Sequence, residues 1–319
     1  MTDLPFNQDA IDWVRDKRTD FLTSFFRFFT FLGSEMGYIL LVLGIYWLYN
    51  KNVALRLTIV TIFSSALNQM IKVIVRNPRP YVNDGTYQDN WAINEDDIEL
   101  TATEFSTPSG HAMGAASFWL YLNSKIKSPK SRIIAIVMIL LIGLSRPYLG
   151  VHYFEDIILG WGFGIIITYF ILVNEDKFVE KWQAIPITLA LGVIVGSTFL
   201  MVLIAGLLSN FGPDGEIFAT LAGMITGLIL GYNLENKYVG FEAETKSLGN
   251  AIVRVIIGLF LSFSILFGLD AIFANITDDL TFLGFILRYV RYSALGIFAT
   301  FVSGYVFVKM GVADSNLDV

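Results

Sequence analysis

Continuous apolar runs recur along most of this 319-residue chain, and a run of roughly 20 such residues is what one helix needs to cross a bilayer. They fall at about 34–50, 54–76, 109–125, 131–148, 152–174, 184–207, 215–234, 249–273 and 283–309. This pattern predicts an all-α, polytopic membrane helical bundle of about nine transmembrane helices. Membrane strands would instead show as alternating segments of about 9 to 11 residues. Hydrophobic residues make up 55% of the chain and charged residues 16%, with a mean hydropathy of +0.60, more apolar surface than a soluble domain of this length can hide. Without cysteine there are neither disulfides nor thiolate metal sites, and the net charge of −6 says little about partners.

Residues 1–33 differ from the rest of the chain. They lack the basic, apolar and small-residue pattern of a removable signal peptide. Instead they mix Trp13, Phe21, Phe25, Phe26, Phe28 and Phe29 with Arg15, Lys17, Arg18 and Arg27, as helices lying at a membrane surface do. The expected organisation is an amphipathic interfacial segment at 1–33, a catalytic helical core at 34–175 and additional transmembrane helices at 176–319.

Positive loops stay cytoplasmic, and Lys125, Lys127, Lys130 and Arg132 crowd one loop. With that loop inside, Lys51, Arg56, Lys177, Lys181, Lys237, Lys246 and Lys309 share its side. The loops near 209–215 and 274–281 then lie outside, without Lys or Arg. The cations of residues 15–18 break this pattern.

Only two histidines occur, each among residue types that bind phosphate. Thr107-Pro108-Ser109-Gly110-His111 reads as a helix start, with Thr107 as N-cap and Pro108 at the first helical position. Its free backbone N–H groups, the Ser109 hydroxyl and close backbone approach at Gly110 suit an anion. His152 and Asp156, four apart, share a helix face, so the carboxylate can hold one ring nitrogen and aim the other. Ser145-Arg146 precedes them, and a guanidinium grips phosphate through two parallel bonds. Upstream, Lys72 and Arg79 are seven apart, with Asn68 and Arg76 extending their stripe and Pro78 and Pro80 ending the helix near Asn77. Basic residues at a span's end also serve as snorkelling anchors. The clusters close span two, open span three and bridge spans four and five, so all meet at one membrane face, the outer one. The polar loop from Tyr81 to Thr107, with Trp91, Asp96, Asp97, Glu99 and Glu104, lies on that side.

Taken in order, Lys-x6-Arg-Pro, Pro-Ser-Gly-His and Ser-Arg-x5-His-x3-Asp resemble the three-part signature of the type 2 phosphatidic-acid phosphatase family, over roughly residues 35–175. The count of about nine spans is similar to that of glucose-6-phosphatase and the sphingosine-phosphate phosphatases, and the aromatic run Phe25–Glu35 adds a similarity to the latter members. The resemblance implies a membrane lipid phosphate phosphatase. His152 would be the nucleophile, Asp156 its support and His111 the acid and base, with Lys72, Arg79, Ser109, Gly110 and Arg146 holding phosphate. It implies no metal or other cofactor. The substrate would be a lipid phosphate among membrane lipids: phosphatidate, a sphingoid-base phosphate or an isoprenoid mono- or diphosphate. Nothing resembles a nucleic-acid site.

The same histidine would also serve a phosphotransferase, and interrupted helices with intramembrane charges also suit a polytopic lipid transporter. Gly223, Gly227 and Gly231 form a small-residue stripe for packing within the chain or for a homodimer through the C-terminal helices. Asp270 is placed to pair with Arg288 or Arg291.

Overall fold

The computed structural model describes residues 4–81, 105–245 and 247–317. Trp91, Asp96, Asp97, Glu99, Glu104 and Lys246 lie outside them. The described residues are helical throughout, apart from connecting turns and one isolated bridge between Phe241 and Ser315. In chain order the helices are α1 (Gln8–Arg15), α2 (Asp20–Leu32), α3 (Glu35–Leu48), α4 (Lys51–Val75), α5 (Gly110–Ile126), α6 (Pro129–Leu149), α7 (Phe154–Gln183), α8 (Ile187–Leu208), α9 (Pro213–Tyr238), α10 (Leu248–Phe273), α11 (Phe282–Ile297) and α12 (Ser303–Lys309), with a π-helical turn at Phe298–Val302 before the last.

Among the described residues, seven helices are long and apolar enough to cross a membrane. The number rises to eight if α2 and α3, bent by 61°, form one broken span. This makes the protein an integral, multi-pass membrane protein, but the expected count of nine is not reached. The segments at 34–50 and 109–125 fall short because α3 has 14 residues and α5 has 17. At about 1.5 Å per residue α3 runs about 21 Å, short of a hydrocarbon core of about 30 Å, while α5, at about 26 Å, stands at the short end of the crossing range. The apolarity of α5 has another use: Ala112, Met113, Ala115, Ala116, Phe118 and Tyr121 are fully buried in protein.

The chain divides into two compact units, Met1–Leu41 with Ile59–Glu175, and Val42–Thr58 with Asp176–Val319. In the first, α7 lies against α5 along the stripe Asp156, Gly160, Gly164 and Thr168, spaced four apart so that all face one way. A Cβ at Gly160 would stand 2.7 Å from the Ser109 carbonyl oxygen, and one at Gly164 2.6 Å from that of Met113. Missing side chains thus let the two backbones touch. Thr168 Oγ1 donates to the carbonyls of Gly164 (2.8 Å) and Ser117 (3.5 Å), and Ser117 Oγ donates to Ser64 Oγ (3.0 Å). At the far end Tyr121 donates to Glu175 (2.6 Å), which also pairs with Lys125.

The second unit repeats this device. The Gly223, Gly227 and Gly231 stripe of α9 is filled by α11 and the π-helical turn, and a Cβ on Gly296 would meet the Leu228 nitrogen at 2.5 Å. The glycines therefore pack within this unit. Thr198, Thr226 and Tyr289 join their hydroxyls among these helices at 2.8 and 3.0 Å. Buried Arg254 donates to the carbonyls of Trp47, Glu242, Ala243 and Val312. Arg291 pairs with Asp270, while Arg288 reaches Glu216 (2.8 Å) and Asp279 (3.3 Å).

Two alanine substitutions in α7 should have opposite effects. Gly160→Ala forces the α5 contact apart and should lower the thermal midpoint in detergent, at a cost of about 1–3 kcal/mol. Gly162, with open space around its Cβ position, should gain about 0.5–1 kcal/mol on replacement by alanine.

Candidate active site

Four helix ends meet in the first unit: the last turns of α4 and α6 and the first turns of α5 and α7. Lys72 sits in the closing turn of α4, 3% exposed. The helix then stops because Arg76 takes a left-handed φ of 53°. Arg76 is exposed, with Nε bonded to the Val73 carbonyl (2.8 Å), so it does not continue the stripe of Lys72 as expected. Beyond this break Asn77, Pro78, Arg79 and Pro80 turn inward and are buried.

The start of α5 also departs from expectation. Ser109, not Thr107, is the N-cap, its Oγ accepting from the Ala112 N–H at 3.4 Å, and Pro108 lies before the helix. Thr107 is turned away from the helix, its hydrogen given to a carboxylate and its acceptor capacity to the Asn77 amide rather than to a backbone N–H. Its Oγ1 donates to Asp156 Oδ1 (2.6 Å) and accepts from Asn77 Nδ2 (2.9 Å). Asn68 holds the Pro108 carbonyl at 3.0 Å, and the Ser109 N–H donates to the Asp156 carbonyl at 3.1 Å. The N–H groups of Gly110 and His111 have no intrahelical acceptor, as in any first helical turn.

Gly150, with φ 80°, closes α6. Its N–H bonds the Pro147 carbonyl (3.0 Å) and that of Val151 the Arg146 carbonyl (3.1 Å), the paired bonds of a helix ending in a left-handed glycine. The chain thereby doubles back, setting Val151 and His152 over the buried Arg146.

His152 lies in this turn, 1% exposed, between two partners. Its Nδ1 is 3.2 Å from Asp156 Oδ2 and its Nε2 3.0 Å from Arg79 Nη1, which also donates to the Val151 carbonyl (2.9 Å). A guanidinium only donates, so Nε2 carries the lone pair and Nδ1 the proton. Burial first, then the charges of Arg79, Arg146 and Lys72, hold the imidazole well below its usual pKa and keep it neutral. The buried Asp156 carboxylate is held on Oδ1 by Thr107 and on Oδ2 by Ser106 Oγ, the Tyr153 N–H (3.0 Å) and His152. His111 lies within electrostatic reach of Lys72, Arg79, Arg146 and His152, and its buried Nε2 has no hydrogen-bond partner among the described residues.

The structure thus brings together Lys72, Arg79, Ser109, Gly110, His111, Arg146, His152 and Asp156. Sequence reasoning missed Ser106 as a support of Asp156 and read Thr107 only as a cap. The available signal was two hydroxyl residues beside a motif whose partner carboxylate, once buried, needs donors. Among the described residues no three His, Asp or Glu side chains are grouped to hold a metal ion.

A multi-pass helical membrane protein with buried cations around a carboxylate-oriented histidine belongs to a narrow class of phosphoryl-handling proteins. The chain is a member of the PAP2 superfamily. The PAP2 superfamily model matches residues 53–180, which contain all eight of these residues, and a second, "PAP2 superfamily phosphatase, transmembrane extension", matches 219–315. Sphingosine-1-phosphate phosphatase 1 of Rattus norvegicus is 27% identical over 90% of this chain and 72% of its own length. Phosphatidylglycerophosphatase B of Bacillus subtilis is 32% identical over 25% of this chain and 44% of its own. Undecaprenyl-diphosphatase of Sulfolobus acidocaldarius is 30% identical over 37% and 53%. The protein is a phosphatase.

Replacing Thr107 by valine keeps the shape but strips a donor from Asp156 and an acceptor from Asn77. The expected cost is about 1–3 kcal/mol, read as a lower thermal midpoint in detergent. Thr107→Ser should recover most of it.

Proposed function

We propose that the protein hydrolyses a phosphomonoester or diphosphate of a membrane lipid through a phosphohistidine on His152, without a metal ion. The observation that carries this reading is the orientation of His152: neutral, proton on Nδ1 towards Asp156, lone pair on Nε2 towards a cluster of cations.

In the free protein Arg79 caps Nε2, so the incoming phosphate must first draw that guanidinium onto its own oxygens. The Nε2 lone pair then attacks phosphorus and the phosphorus–oxygen bond to the leaving group breaks. The departing oxygen takes a proton from His111, which the imidazole holds once the negative charge of the bound phosphate sits among the surrounding cations. Asp156 stabilises the imidazolium that forms, as a hydrogen-bonded carboxylate does for an attacking histidine. Lys72, Arg79, Arg146, the Ser109 hydroxyl and the Gly110 N–H offset charge on the equatorial oxygens, the main catalytic task in phosphoryl transfer. These cations supply the role that a divalent ion has elsewhere. His111 next takes a proton from water, which attacks phosphorus, releases phosphate and restores His152.

Two observations support a lipid substrate. The site lies where membrane-crossing helices end, so a head group can enter while its hydrocarbon stays in the bilayer. The relatives are named as phosphatases of sphingosine-1-phosphate, phosphatidylglycerophosphate and undecaprenyl diphosphate. The basic loop between α5 and α6, at the opposite end of these helices, supports a site on the non-cytoplasmic face. Arg18, one of the cations that break the charge pattern, is tied to protein, its Nε donating to the Tyr148 carbonyl (2.7 Å) and its guanidinium lying over the Tyr148 ring. Exposed Trp13, Phe21 and Phe28 on α1 and α2 support an interfacial first segment.

The test is phosphate release by purified protein in detergent on phosphatidate, sphingoid-base phosphate, isoprenoid phosphates and glucose phosphate, with chelator present. One lipid class should turn over at full rate in chelator, and His152→Ala should be silent. Activity retained by His152→Ala would sink the mechanism. Loss in chelator would sink metal independence. The acid limb of kcat/KM offers a second check. A depressed pKa leaves His152 neutral as the pH falls through the ordinary imidazole value, so a limb assigned to His152 should lie below that value.

A further inference from the structure

Thr30 lies on α2, outside the matched family segments and outside every motif of the site, yet it touches two motif residues. Its Oγ1 is 2.6 Å from Ser145 Oγ and 3.4 Å from Arg146 Nη1. Ser145 Oγ donates to the Ile142 carbonyl at 2.7 Å, which uses its one hydrogen. In the Thr30–Ser145 contact Thr30 is therefore the donor, and its lone pairs are left for Arg146. The bonds run in one direction: Arg146 Nη1–H to Thr30, Thr30 O–H to Ser145, Ser145 O–H to the Ile142 carbonyl.

Around this relay residues 4–30 are bonded to three segments that bear the site: the turn after α4, the end of α6 and the first turn of α7. The Leu4 N–H donates to Asn77 Oδ1 (3.1 Å) and the Asn7 N–H to Glu155 Oε1 (3.2 Å). Arg18 holds the Tyr148 carbonyl, the Thr19 N–H donates to the Tyr148 hydroxyl (3.2 Å), and Phe26 packs on the Tyr148 ring at 4.5 Å. A hydroxyl placed this firmly limits where the planar guanidinium of Arg146 can point, and bidentate recognition depends on that plane.

We infer that Thr30 is a positioning residue for phosphate recognition, acting through Ser145 and Arg146, so that the first helices complete the active site. The inference rests on the assignment of Arg146 as a phosphate ligand. It gives Ser145 of the motif a purpose, that of fixing the direction of Thr30.

The test compares Thr30→Val, Thr30→Ser, Arg146→Ala and the Thr30→Val/Arg146→Ala double variant. KM and kcat are measured on the lipid found to turn over, with inhibition constants for orthovanadate and inorganic phosphate and a thermal midpoint for each protein. Thr30→Val should raise KM and both inhibition constants roughly 5- to 10-fold, the scale of one lost hydrogen bond. Its kcat should fall less, and Thr30→Ser should restore both. Once Arg146 is gone, Thr30→Val should weaken orthovanadate no further, because the two act as one unit. Unchanged inhibition constants in Thr30→Val, or a loss that tracks only the thermal midpoint and persists in Thr30→Ser, would overturn the inference and mark Thr30 as packing alone. Unchanged orthovanadate affinity in Arg146→Ala would instead overturn the assignment of Arg146 on which it rests.

Discussion

A carboxylate taken out of water must be surrounded by donors or surrender its charge, and the Asp156 side chain meets that requirement with four of them. They come from two stretches of the chain: Ser106 and Thr107 from the loop before α5, and His152 and the Tyr153 N–H from the turn that joins α6 to α7. Satisfying one buried charge therefore fixes these segments relative to one another. The backbone of the same residue adds a further tie, its carbonyl accepting from Ser109 at the head of α5. The loop that contains Thr107 is joined in turn to Asn77, and so to the inward turn that carries Arg79.

The glycines of α7 make this geometry possible. Hydrogen bonds of about 3 Å between the first turns of α5 and α7 require backbones closer than ordinary side chains allow. Gly160 and Gly164 supply that closeness one and two turns below Asp156. Packing in the membrane-spanning part and polar bonding at its end thus depend on the same face of a single helix.

Much of the site was legible because its key relationships are local or carried by residue type. A spacing of four puts His152 and Asp156 on one face whatever surrounds them. Rare His, Lys and Arg in apolar surroundings stand out for the energy it takes to bury them. The bundle was legible too, since apolar length is a property of sequence, although the helix ends that make α3 and α5 shorter than the other spans were not. What could not be read depends on competition and distance. Thr107 has the composition of a cap, and only the folded chain shows a carboxylate within its reach. Arg76 keeps the register of a helix that has already ended, and Thr30 meets Arg146 at a separation of 116 positions. No periodicity records such a contact.

Order of synthesis adds a consequence to the strap of residues 4–30. These residues are made well before Tyr148, Glu155 and the Ser145–Arg146 pair to which they bond, so most of their native surface is missing until α6 and the first turn of α7 exist. Contacts this far apart in sequence pay their loop-closure entropy late. The bonds from this strap to Tyr148, Ser145, Arg146 and Glu155 can therefore close only after α6 and the start of α7 have been made.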